Sequence, residues 1–150
     1  MMQAVIFIGI QATGKSTFYA HHFFKSHIRL SLDMLRTRHR EQLLLNACLA
    51  AKQPFVIDNT NPSVEDRAKY ILPARISQFS VVGYYFQSNT KAALERNATR
   101  SGNERVPDAG VFGTYKRLQL PTFDEGFDEL YYVNISENNG FEIKEWQNEL

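Results

Sequence analysis

The stretch Gly9-Ile10-Gln11-Ala12-Thr13-Gly14-Lys15-Ser16, followed by Thr17, restricts what this chain can fold into more than any other. A glycine, four variable residues and Gly-Lys-Ser, set between the apolar run Val5-Ile6-Phe7-Ile8 and a helical segment, form the pattern of a phosphate-binding loop. Gly9 and Gly14 allow a tight turn that brings the backbone N–H groups of Gln11, Ala12, Thr13 and Gly14 against phosphate oxygens. Lys15 reaches the outer phosphates, Ser16 offers a hydroxyl to Mg²⁺, and the helix starting near Lys15 turns its positive end to the same anion.

A loop of this kind requires a buried strand before it, and residues 3–8 read as one. The same alternation continues. A helix is expected from Lys15 to about Lys25, and a short strand at Ile28–Ser31. One long helix opening at Asp33 should then carry Arg36, Arg38 and Arg40 in its first turns. Positive charge at a helix start is unfavourable unless an anion compensates it, which makes these arginines candidates for ligand contact. Phe55-Val56-Ile57-Asp58 reads as an apolar strand ending in a carboxylate near the Mg²⁺ position.

Further along, Ser63 and Asp66 form a capping-box pattern for a helix over Val64–Ser77, bent or shortened by Pro73. A strand at Ser80–Phe86 and a helix over Thr90–Arg100 follow, with Arg96 and Arg100 on one face. Residues 99–107 read as a mobile lid, Pro107 to Leu118 as a helix, and Leu130–Ile135 as the last buried strand. Phe141–Trp146 alternates like a short edge strand. Trp146, Tyr131 and Tyr132 read as packing rather than a base-stacking platform. His21, His22 and His27 lack metal-ligand spacing and read as surface or packing residues.

Composition sets the remaining bounds. The 150 residues, 43% of them hydrophobic, suit one domain with a core that needs no staples. Cys48, the single cysteine, lies in an Ala/Leu-rich helix and reads as a small buried hydrophobe. With no signal-like segment and no run of about 18 apolar residues, a soluble cytoplasmic protein without membrane contact is expected. The net charge of +1 is unevenly spread. Residues 1–53 carry seven Lys/Arg and two acids, residues 54–120 nine and six, and residues 121–150 one and eight. The basic part contains the loop, which suits a polyanionic ligand.

In a parallel sheet, ligands bind beyond the carboxyl ends of the strands, where Lys15, Ser16, Asp33, Asp58 and the segment after residue 86 converge. Those residue types supply what phosphoryl transfer needs: a phosphate cradle, a metal site, a carboxylate to orient an attacking hydroxyl, and arginines to hold the transferring group.

Together, the loop, Leu32-Asp33-Met34-Leu35-Arg36, Ile57-Asp58-Asn59-Thr60-Asn61, Arg96 through Arg100, and Leu120-Pro121-Thr122-Phe123-Asp124-Glu125-Gly126-Phe127 resemble the kinase domain of polynucleotide 5′-hydroxyl kinases of the polynucleotide kinase-phosphatase type. The likeness spans roughly residues 4–135. It implies an α/β P-loop NTPase fold with a five-stranded parallel sheet of order 2-3-1-4-5 sandwiched by helices, to which a short C-terminal edge strand is added. ATP would be the phosphate donor, with Mg²⁺ as cofactor and a 5′-OH end of DNA or RNA as acceptor. By the same resemblance Asp33 is the general base and Arg36 contacts the acceptor's phosphate. Arg100 clamps phosphate from the lid, with Arg96 a second candidate, and Asp58 holds metal-bound water or organises the metal site without being the base. Gln11 and Thr13 stand where family members often have Pro and small residues. No Asp-x-Asp phosphatase motif or ligase lysine motif is present, so a kinase module acting beside separate phosphatase or ligase partners is expected.

Two other readings stay open on the sequence: a kinase of a small hydroxyl compound such as a nucleoside or sugar, and an ATP-binding switch module. A basic open groove at Arg36, Arg38 and Arg40 favours a nucleic-acid end, and an enclosed pocket favours a small acceptor.

Overall fold

A computed structural model describes residues 2–147. Strands β1 (Gln3–Ile8), β2 (Ile28–Leu30), β3 (Phe55–Ile57), β4 (Ser80–Phe86), β5 (Glu129–Ile135) and β6 (Phe141–Glu145) form one sheet in the order β2-β3-β1-β4-β5-β6. The first five are parallel, in the expected order, and β6 pairs antiparallel with β5 as the added edge. Helices α1 (Lys15–His22), α2 (Leu32–Leu35), α3 (Arg38–Ala51), α4 (Val64–Ile76), α5 (Thr90–Ala98) and α6 (Asp108–Arg117) complete the architecture.

Strand alternation divides the core between the sheet's two faces. Ala4, Ile6 and Ile8 of β1 join Phe55, Ile57 and Leu130 beneath Leu45 and Cys48 of α3 and Tyr70, Ile71 and Ala74 of α4. Val5 and Phe7 turn to the other face, with Val56, Val82, Phe86 and Val133, under Phe18 and Phe23. The rings of Phe7, Phe18 and Phe86 meet edge to face with centroids 5.0–5.8 Å apart. Each such buried side chain contributes about 1.5–3 kcal/mol of transfer free energy. A third cluster, Ile10, Ala12, Ala93 and Val111, joins α5 and α6 to the phosphate-binding loop.

One expected helix differs. The long helix from Asp33 is broken into α2 and α3: Arg36 takes φ 75°, and Thr37 caps the new helix by accepting from Arg40 N. The break leaves Asp33 on an isolated single turn. Helix α4 spans Val64–Ile76 with Ser77 as its C-cap, the expected range; Pro73 does not shorten it and costs one backbone hydrogen bond near the helix end. The lid segment contains a 3₁₀ turn at Gly102–Glu104, and Asn97 ties its far end by pairing with both backbone groups of Val106. Trp146 packs edge to face on Tyr85.

The stretch Pro121–Asp128 serves the scaffold. Thr122 and Glu125 form a capping box, and the Glu125 carboxylate receives two hydrogen bonds from the buried Arg67 guanidinium. Asp128 Oδ2 accepts from Val81 N. Phe127 and Leu130 press on Gly83, where any Cβ would lie 2.7 Å from both side chains. These contacts clasp α4 to the middle of the sheet.

Candidate active site

The phosphate-binding loop is anchored on every side. Gly9 N donates to Thr60 O, Ile10 N to Ser88 Oγ, and Thr13 Oγ1 to Ile10 O. Gln11 Nε2 donates to Thr114 Oγ1 of α6, and Arg96 Nη1 of α5 to Ala12 O at 3.2 Å. Arg96 therefore braces the loop through its backbone, whereas Arg100 lines the cleft in front of it. Gly14, at φ 93°, can be only glycine on two counts: its conformation is left-handed, and a Cβ would stand 2.9 Å from the Phe141 ring of β6.

In front of the loop opens a cleft of about 1050 Å³. Of the residues singled out from the sequence, Gln11, Lys15, Ser16, Thr17, Asp33, Arg36, Arg38, Asp58 and Arg100 line it. Arg40 does not, because its guanidinium turns back to Leu35 O. Arg38 lines the cleft with its guanidinium engaged by Glu41 and the Tyr70 hydroxyl.

Lys15 Nζ donates to Gly9 O at 3.0 Å and Ile10 O at 2.6 Å. Burial lowers its ammonium from 10.5 to about 8; the Asp58 and Asp33 carboxylates oppose that fall and the Arg100 guanidinium adds to it. Lys15 thus feels the charges of all three residues that the sequence placed around it.

Asp58, at the end of β3, is almost wholly buried. Its Oδ2 accepts from Ser16 Oγ at 3.0 Å and from Arg29 Nε at 2.7 Å, and Arg29 Nη2 donates to Ser16 Oγ at 3.1 Å. A hydroxyl and a carboxylate oxygen side by side are hard donors that suit Mg²⁺, which takes one or two such protein ligands together with phosphates and water. The donor set therefore fits the ion, with Arg29 as an added cation that the sequence reading missed. Its signal was a lone arginine within a short strand.

A second network fastens the backbone just before Asp33. Glu41, buried on α3, accepts from Tyr70 OH at 2.8 Å, Arg38 Nη1 at 3.1 Å and Asn59 Nδ2 at 2.9 Å. Burial and then the Glu41 carboxylate push the Tyr70 hydroxyl well up, so it remains a donor. Asn59 Oδ1 in turn accepts from the backbone N–H of Leu32, the residue before Asp33, at 2.9 Å. Asn61 Nδ2 donates to Phe7 O at 2.7 Å. The two asparagines of the Asp-Asn-Thr-Asn stretch thus fasten the single-turn helix α2 and strand β1 to the strand that carries Asp58. Glu41, Tyr70 and Arg117, the last two also on the cleft wall, were not singled out from the sequence.

A phosphate-binding loop at the carboxyl edge of this sheet, with its lysine, hydroxyl and carboxylate in one cleft, defines a P-loop kinase-like ATP-binding domain. The chain belongs to the AAA domain family, whose model matches residues 5–121. It is 27% identical over 135 residues to the bifunctional polynucleotide phosphatase/kinase of Schizosaccharomyces pombe, covering 87% of this chain and 33% of that protein. The chain thus spans about a third of the length of this relative. Its fold is shared with Chaetomium thermophilum Kti12 in complex with ADP-AlF3, at a TM-score of 0.66 and 16% identity over 91% of this chain and 92% of that one. A gluconokinase from Sinorhizobium meliloti shares it too, at 0.62 and 15%, over 91% and 84%. Among the described residues no helix is long and apolar enough to cross a membrane.

Proposed function

We propose that the chain is an ATP-dependent 5′-hydroxyl polynucleotide kinase. The observation that carries this reading is the cleft itself: Asp33 shares it with Lys15, and Arg36, Arg38, Arg100 and Arg117 stand around its walls. Basic walls on a cleft of this size suit the end of a polyanion better than a neutral sugar. The similarity to a polynucleotide phosphatase/kinase supports the same acceptor class.

In this reading the loop amides and Lys15 hold the β- and γ-phosphates of ATP, and Ser16 and Asp58 would hold Mg²⁺. When bound, the ion neutralises charge on the phosphoryl oxygens. The 5′ oxygen of the acceptor attacks the γ-phosphorus in line. As the new P–O bond forms, the bond to the β,γ-bridging oxygen breaks, ADP leaves, and the hydroxyl proton passes to Asp33. A loose transition state needs little basicity early on, so the service of Asp33 is chiefly to orient the hydroxyl. Arg100 stabilises the transferring phosphoryl group, and Arg36 contacts the acceptor's first internucleotide phosphate.

The test is transfer of label from γ-labelled ATP to a panel of 5′-OH DNA and RNA oligonucleotides in Mg²⁺, with Asp33→Ala in parallel. Label on the 5′ end, lost in the variant, is expected. Absence of transfer to every oligonucleotide, with transfer to a nucleoside or sugar, would overturn the acceptor assignment.

A further inference from the structure

Arg29 does not belong to the phosphate-binding loop or to the acceptor side of the cleft, yet it makes the shortest contact at the Ser16–Asp58 pair. Its Nε and Nη2 reach the two oxygens that suit a divalent ion, at 2.7 Å and 3.1 Å. The side chain of Asp58 is 2% exposed and that of Arg29 24%. Among the described residues the hydrogen-bond donors to the Asp58 carboxylate are Ser16 and Arg29, since the Lys15 ammonium is engaged by the carbonyls of Gly9 and Ile10. The Lys15 ammonium acts on the Asp58 carboxylate without a hydrogen bond, so Arg29 is the cation in direct contact with a buried carboxylate, and removing a directly paired counter-charge is strongly destabilising.

We propose that Arg29 is a tethered cation that competes with Mg²⁺ for Ser16 Oγ and Asp58 Oδ2, so that the ion enters only together with a nucleotide. The inference rests on the reading of Ser16 and Asp58 as the metal position. A guanidinium and a divalent cation cannot both sit against the same two oxygens, because they repel each other and both need the Asp58 lone pairs. Metal entry therefore requires Arg29 to withdraw, and its partly exposed side chain lines the cleft into which it would move. There its freed N–H groups meet the phosphate oxygens of the incoming nucleotide, which favour a planar guanidinium. Without a nucleotide the exchange leaves Arg29 unpaired and gains little. With one, both cations are satisfied. The device holds the carboxylate neutralised between turnovers and couples metal binding to nucleotide binding.

Mn²⁺ titration followed by the electron paramagnetic resonance of the free ion, in the absence of nucleotide, tests this directly. Arg29→Met is expected to bind Mn²⁺ about tenfold or more tightly than the unaltered protein, and the gain should vanish in Arg29→Met/Asp58→Asn. Arg29→Lys, which keeps a cation but not the planar fork, should fall between. If Arg29→Met melts too low for the titration, its melting temperature carries the test: saturating Mg²⁺ should raise it well beyond any rise in the unaltered protein. Equal Mn²⁺ affinities, a gain that survives Asp58→Asn, or equal Mg²⁺-induced shifts would overturn the role of Arg29. The metal position is scored separately by calorimetry of ADP with and without Mg²⁺. An Mg²⁺-dependent strengthening that persists in Ser16→Ala would remove the metal assignment, whatever the result for Arg29.

Discussion

The Arg67 guanidinium, wholly removed from solvent, meets the Glu125 carboxylate in parallel, Nε to Oε1 at 2.7 Å and Nη2 to Oε2 at 3.0 Å. The remaining nitrogen, Nη1, donates to the carbonyls of Asn61 and Pro62, so one side chain ties α4, the segment after β3 and the turn before β5 into a single unit. Removing one partner leaves a buried charge without a counterpart. Glu125→Ala should therefore cost about 3–5 kcal/mol of unfolding free energy. Urea denaturation measures it, and a loss below about 1 kcal/mol would mean that the pair contributes no more than a surface ion pair.

Asp33 stands in the cleft without a place in the scaffold. In Asp33→Ala turnover should fall by about 10² or more while ATP affinity by calorimetry stays unchanged. A parallel loss of ATP affinity would contradict its role toward the acceptor hydroxyl.

Arg36→Ala should raise the acceptor KM, with a smaller relative effect at high salt, where screening already weakens a phosphate contact in the unaltered protein. An acceptor KM that does not move in low salt would exclude that contact.

Glu41 reaches the backbone beside Asp33 through Asn59 and the Leu32 N–H. Glu41→Ala strands three donors and should cost about 2–3 kcal/mol of stability. If the network positions Asp33, kcat should fall about tenfold at a temperature where the variant is folded, with KM for ATP unchanged and partial recovery in Glu41→Gln. Lost stability with intact kcat would make Glu41 purely structural.

Lys15 titrates near 8 in the folded chain against an ordinary 10.5, so the unfolded state binds more protons between those values. Its penalty is fully present below about pH 8, and the group's contribution to stability improves as pH rises from about 8 to 10.5. Nucleotide binding has the opposite sense, because phosphates favour the ammonium. ADP affinity should weaken above about pH 8, approaching tenfold per pH unit, with uptake of about one proton in buffers of different ionisation enthalpy at pH 9. Lys15→Met should abolish that uptake, and an unaltered protein showing none would contradict a neutral lysine.

The sheet and the loop were legible because both are written locally: Val5–Ile8 and Ser80–Phe86 are apolar runs, and Gly9–Ser16 contains its own turn chemistry. The break at Arg36 was not, because Met34-Leu35-Arg36-Thr37 has no glycine or proline to mark it; the interruption is held by the Thr37 cap and by Asn59, 27 residues away from Leu32. Arg29 was missed for the same reason, and so was Glu41, whose partners Tyr70 and Asn59 come from other elements. The Asp-Asn-Thr-Asn and Pro-Thr-Phe-Asp-Glu-Gly-Phe stretches carried the family likeness. Asn59, Asn61, Thr122 and Glu125 of those stretches fasten the scaffold, while Asp58 faces Ser16.

The ring of Phe141 rests against Gly14 from a strand that lies beyond the residues matching the family model. The loop therefore meets its ligand on one side and a hairpin on the other, and the travel available to the Gly14 N–H when a phosphate arrives is bounded by how tightly β6 is zipped to β5. Loosening that outer strand is therefore expected to change nucleotide affinity from behind, without entering the cleft.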